Sequence, residues 1–148
     1  MSDVFLLNFM EAAKKITRAE RCMVVNTELK LLEAVNVDRA MVESTAFGEF
    51  ALECLRKALQ KNEVIITNNV ITDPSDAPTT NTNFSNLRVI VALPLAGHGA
   101  LYLDQHIRNG IIPRQMIERL MQLAQYVLEN NLEDSSDSEL HDLFQNLK

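Results

Sequence analysis

The sequence predicts an α+β domain, on three observations. Segments of helical period stand near both ends of the chain, short β-branched runs come in pairs joined by turn residues, and another amphipathic helix lies between the pairs. At 148 residues, 47% apolar and 23% charged, the chain has the size and composition of one globular domain.

Residues 4–17 set Leu6, Phe9, Ala13 and Ile16 on one helical face, and Thr17 and Arg18 end that helix. Arg21 to Asn26 and Leu31 to Val37 read as a hairpin around the polar Asn26, Thr27 and Glu28. Ser44 or Thr45 can cap a helix with a core stripe of Phe47, Phe50, Ala51, Cys54, Leu55, Ala58 and Leu59, and Asn62 suits a left-handed stop. A short strand, Val64 to Thr67, leads into an irregular stretch from Asn68 to Asn86, rich in Asn, Thr and Ser and containing Pro74 and Pro78. Loops of that length inside a compact domain are uncommon and tend to be lids, binding loops or disordered segments. Val89 to Leu95 and Ala100 to Leu103 are apolar on both faces, which predicts central strands, and Gly97 and Gly99 make the turn between them. Pro113 suits the first turn of a closing helix that carries Ile117, Leu120, Met121, Ala124, Val127 and Leu128. Residues 1–132 form the domain. Residues 133–148 read as an acidic linker or a short amphipathic helix, with Ser136 and Glu139 as a capping box before Leu140, Leu143, Phe144 and Leu147.

Charge and motifs exclude several functions. The net charge of −6 comes from the tail, where six acidic residues and no Lys or Arg stand between Glu129 and Asp142. Nucleic-acid binding is not expected without a basic stripe to displace counterions. No run of about 18 apolar residues occurs to span a bilayer. Glu11, Lys14 and Lys15 interrupt the apolar start, so no signal peptide is read and a cytoplasmic protein is expected. Cys22 and Cys54 sit in apolar surroundings and read as buried thiols, too few for a zinc site. With glycine only at 48, 97, 99 and 110, the phosphate-loop, dinucleotide and nucleophile-elbow motifs are absent. His98 and His106 stand about 26 Å apart on an extended strand, and with His141 they read as solvated surface residues. No catalytic residue, metal or cofactor is expected.

The wording of several segments resembles the GAF family of sensory domains. RAERCMVV (18–25) is similar to its first strand, ALQKNEVIITNN (58–69) to a helix end running into the third strand, and LRVIVALPL (87–95) with GALYLD (99–104) to its most recognisable pair of strands. Residues 111–130 resemble its closing helix, and the resemblance spans about residues 4–130. It implies a central antiparallel sheet of five or six strands, the N- and C-terminal helices on one face, and a loop-covered pocket on the other. The signatures of the cyclic-nucleotide, bilin and methionine-sulfoxide-reducing members are not found here.

The resemblance places the pocket under Asn68 to Arg88. There Asn68, Asn69, Thr72, Asp73 and Asn83 offer neutral donors and acceptors, Phe84 an apolar cover, and Arg88 a cation able to fork onto a carboxylate or phosphate. The same Asn and Thr residues also serve simply as turn formers. The family commonly pairs its terminal helices, and Leu6, Phe9, Ala13, Met116, Leu123 and Val127 are the residues expected at a homodimer seam. The resulting expectation is a non-catalytic sensory or regulatory domain of a signalling protein, taking a small molecule of unspecified identity and acting on an output domain or partner protein. A ligand-free homodimerisation module and a methionine-sulfoxide-reducing enzyme are the alternatives.

Overall fold

A computed structural model describes residues 2–36, 46–70, 87–95, 97–106 and 110–147, with backbone only for 2–3, 46–48, 68–70 and 87–88. Among these residues there are four helices and five strands. In chain order they are α1 (Ser2–Thr17), β1 (Arg21–Asn26), β2 (Leu31–Val35), α2 (Ala46–Lys61), β3 (Ile65–Val70), β4 (Leu87–Pro94), β5 (Gly99–His106), α3 (Arg114–Glu129) and α4 (Asp137–Asn146). The strands form one antiparallel sheet in the order β2-β1-β5-β4-β3.

The period-two alternation of side chains divides the core in two. Cys22, Val24, Val91, Leu93, Leu101 and Leu103 point to the face covered by α1, α3 and α4. Met23, Val25, Ile90, Ala92, Ala100 and Tyr102 point to the other face, where α2 lays Ala51, Cys54, Leu55 and Ala58 against them. The three inner strands are therefore apolar on both sides, the pattern that covered strands require. Cys22 and Cys54 are buried free thiols on opposite faces of the sheet.

Local chemistry sets the turns. Arg18 closes α1 in the left-handed region (φ 58°), its N–H donating to the Lys14 carbonyl at 2.8 Å. The Asn26 side-chain oxygen accepts from the Glu28 and Lys30 amides, 2.9 and 3.0 Å, and folds the β1–β2 connection. Asn62 stops α2 at φ 52° and Gly97 turns β4 into β5 at φ 85°. Gly99 is required by close approach, since a Cβ there would stand 2.3 Å from the Val25 carbonyl oxygen.

Strand ends differ from the sequence reading because pairing overrides local preference. β3 runs on through Asn68 and Asn69, which lie opposite Val89 and Arg88. β2 stops at Val35, where Asn36 turns left-handed (φ 60°) and donates from Nδ2 to the Glu20 carbonyl at 2.7 Å. Pro113 stands one residue ahead of α3, as its cap (φ −58°, ψ 135°), rather than within the first turn. β5 continues to His106, so that histidine is buried, against the expectation of a solvated surface residue. The Phe47 side chain, like the proposed caps Ser44 and Thr45, falls outside what is described, although its backbone lies in α2.

At the C-terminus Asp137–Asn146 is helical. Ser136 Oγ accepts from the Glu139 amide at 3.2 Å while the Glu139 carboxylate accepts from the Ser136 amide at 3.1 Å, a complete capping box. Leu140 and Phe144 of α4 are buried in the same core as α1 and α3. No helix among the described residues is long and apolar enough to cross a membrane.

Candidate functional site

The residues expected to hold a ligand divide into two groups. Thr72, Asp73, Asn83 and Phe84 lie outside the described residues. Asn68, Asn69 and Arg88 are placed by their backbone at one end of the sheet, with Asn69 opposite Arg88 and Arg88 opposite His106 across three adjacent strands.

Immediately inside that end lies a polar cluster to which the sequence reading gave no role. Arg21 and Asp104 are directly opposite on β1 and β5. Arg21 donates from Nε to Oδ1 and from Nη2 to Oδ2 of Asp104, both at 2.8 Å, and the Tyr102 hydroxyl donates to Oδ2 at 2.7 Å. The Asp104 side chain is 0% exposed and that of Arg21 12%. A buried carboxylate is tolerable only when paired and hydrogen-bonded, and the forked guanidinium meets that demand in a fixed plane. Burial, and after it the charge of Asp104, raises the Tyr102 phenol far above its ordinary range, so it remains a donor. The signal available in the sequence was an acidic residue ending an apolar strand, two residues after Tyr102 and so on the same face. Its partner is 83 residues away.

Neither thiol is poised for chemistry. Burial pushes the Cys22 thiol up to about 12 and also raises that of Cys54, and a nucleophilic cysteine needs the opposite shift. Among the described residues no group of three His, Cys, Asp or Glu is placed to hold a metal ion.

An open groove of about 550 Å³ lies at the opposite end of the strands, lined by Leu59, Asn62, Pro94, Gly97, Met121 and two glutamines of α3, Gln122 and Gln125. It is uncharged. Pro94 is six residues along β4 from Arg88, about 20 Å, so this groove is distinct from the Asn68 to Arg88 region.

No family model, curated protein or solved structure matches the chain.

The expected dimer residues have a clear place within one chain. Leu6, Phe9, Ala13, Leu123 and Val127 are fully buried, and Met116 packs partly buried against the same core. Their apolar surface is covered by the sheet and by α4, and the large apolar side chains left exposed on these helices are Val4 and Tyr126.

Proposed function

We propose that this chain is a non-catalytic sensory or regulatory domain that binds a small anionic metabolite along Asn68 to Arg88 and passes the change to its terminal helices. The observation that carries the reading is the row Asn69, Arg88, His106 beside the Arg21–Asp104–Tyr102 cluster. Asn69 and Arg88 are paired there by their backbone, next to an ion pair that fixes the spacing of β1 and β5. Such a floor suits a carboxylate or phosphate, since Arg can fork onto either. The GAF resemblance of residues 4–130 supports the same placement.

The route to the terminal helices is short, because β1, β4 and β5 contribute alternate residues to both cores. A shift on the α2 side reaches α1 and α3 through the strands themselves. Signalling then goes to an output domain or partner protein, and a homodimer through α1 and α3 meets at exposed surface such as Val4 and Tyr126. The raised thiols disfavour a sulfoxide-reducing enzyme.

Native mass spectrometry of protein purified from cells tests the reading. A retained small anion lost from Arg88→Ala is the expected result. Protein that carries no small molecule, yet is dimeric, favours the ligand-free dimerisation module.

A further inference from the structure

α4 has ten residues, fewer than the about 12 to 15 that make an isolated helix even marginal in water. Its helicity therefore depends on what it touches. At its start the Asn8 amide donates to the Ser135 carbonyl at 3.1 Å and the Lys15 ammonium pairs with the Asp137 carboxylate. In its middle Leu140 and Phe144 enter the core. At its end Arg119 lies 4.3 Å over the Phe144 ring and donates from Nη2 to the carbonyls of Phe144 (2.6 Å) and Leu147 (3.0 Å). Those carbonyls belong to the last turn and the residue after it, where a helix runs out of N–H donors of its own; the Phe144 carbonyl also accepts from the Leu147 amide at 3.3 Å.

The surface of α1 and α3 thus offers a cation for an acidic helix start, an apolar slot for residues four apart, and a second cation for the helix end. We propose that this surface is a receptor for one short acidic helix, which α4 fills within its own chain and α4 of a second copy fills in trans, giving an exchanged homodimer.

A second copy is the occupant because it carries the complementary segment by identity, and reciprocal exchange closes on itself at two chains. The connection from Asn130 to Ser136 is held in a turn by Asn131 in the left-handed region (φ 58°) and by the Leu132 amide on the Val127 carbonyl at 2.8 Å. Extended, these seven residues reach about 23 Å, enough to carry α4 onto a neighbour. A tether of this length gives docking within the chain an effective concentration on the order of millimolar, so exchange becomes populated as protein approaches that concentration. The inference does not depend on a ligand.

Two full-length variants test it. Lys15→Cys and Asp137→Cys each place one thiol at the contact between α1 and the start of α4, so neither variant can close that pair within its own chain, whereas exchange brings the two introduced thiols together between chains. Mixed one to one at several hundred micromolar under mild oxidation, they are expected to give a disulfide-linked heterodimer well above the cross-linking of either variant alone. A mixture that cross-links no more than its components overturns the proposal, and a seam dimer through other surfaces does not bring these two positions together. Wild-type hydrogen exchange supplies a test that needs no variant. α4 amides are expected to exchange together and faster than those of β4 and β5. If they exchange no faster, the receptor opens only on global unfolding, and exchange between folded copies is excluded.

Discussion

Arg21→Ala is the perturbation whose outcome the structure specifies most closely. It removes two charge-assisted hydrogen bonds of 2.8 Å from a carboxylate that is 0% exposed. Breaking a buried ion pair from one side costs about 3–5 kcal/mol, against about 0–1 kcal/mol for an exposed pair. The near-complete burial of both side chains decides between the two ranges. For a chain of this length about 3–5 kcal/mol corresponds to a fall in Tm of roughly 6 to 20 °C. Urea unfolding followed by circular dichroism is the assay, with an unchanged m-value showing that the loss is one of stability. Replacing the whole cluster, Arg21→Met with Tyr102→Phe and Asp104→Leu, is expected to recover most of the loss, because apolar replacement of a buried pair is often neutral or stabilising. A cost under about 1 kcal/mol for Arg21→Ala, the range of an exposed pair, would refute the assignment of this pair as a buried anchor between β1 and β5.

Two other substitutions and one labelling experiment probe the rest of the fold. Gly99→Ala is expected to cost about 1–3 kcal/mol, the range for overpacking, because the new methyl meets the Val25 carbonyl oxygen at 2.3 Å, and backbone cannot yield as a side chain can; thermal melts check it. Leu140→Ala is expected to lower stability by about 2–5 kcal/mol, with hydrogen exchange rising first in α4, and a uniform rise across the sheet would speak against a helix docked by its own few contacts. Cys22 and Cys54 are expected to resist alkylation at neutral pH in the folded protein and to react readily in denaturant. For Cys22 the sign is clear: with the thiol raised to about 12, its thiolate stays scarce until the pH approaches that value.

Features encoded in neighbouring residues were legible before any fold was known. The stripe of α1, the left-handed stop at Asn62, the turn glycine at 97 and the Ser136–Glu139 capping box each depend on side chains within a few positions of one another. What escaped depends on register between distant strands. Nothing local extends β5 through His106 or β3 through Asn69; the ladders with β4 do so. The Arg21–Asp104 pair joins residues 83 apart, so its two halves look like ordinary strand-end charges until β1 and β5 are aligned. The tail was ambiguous for an energetic reason, since its capping box is complete but its helix is too short to stand without Leu140, Phe144 and Arg119 in place. The dimer residues illustrate a related limit: periodicity marks an apolar face, and the sheet and α4 cover that face within one chain.

The central claim, a small anion bound beside Arg88, is tested most directly by calorimetry with the compound recovered from purified protein. Loss of a charged hydrogen bond, about 1.5–3 kcal/mol, should weaken binding to Arg88→Ala by roughly 10- to 150-fold, while the two proteins melt at the same temperature. Equal affinity for wild type and Arg88→Ala would contradict the claim and leave Arg88 as a residue of the strand alone.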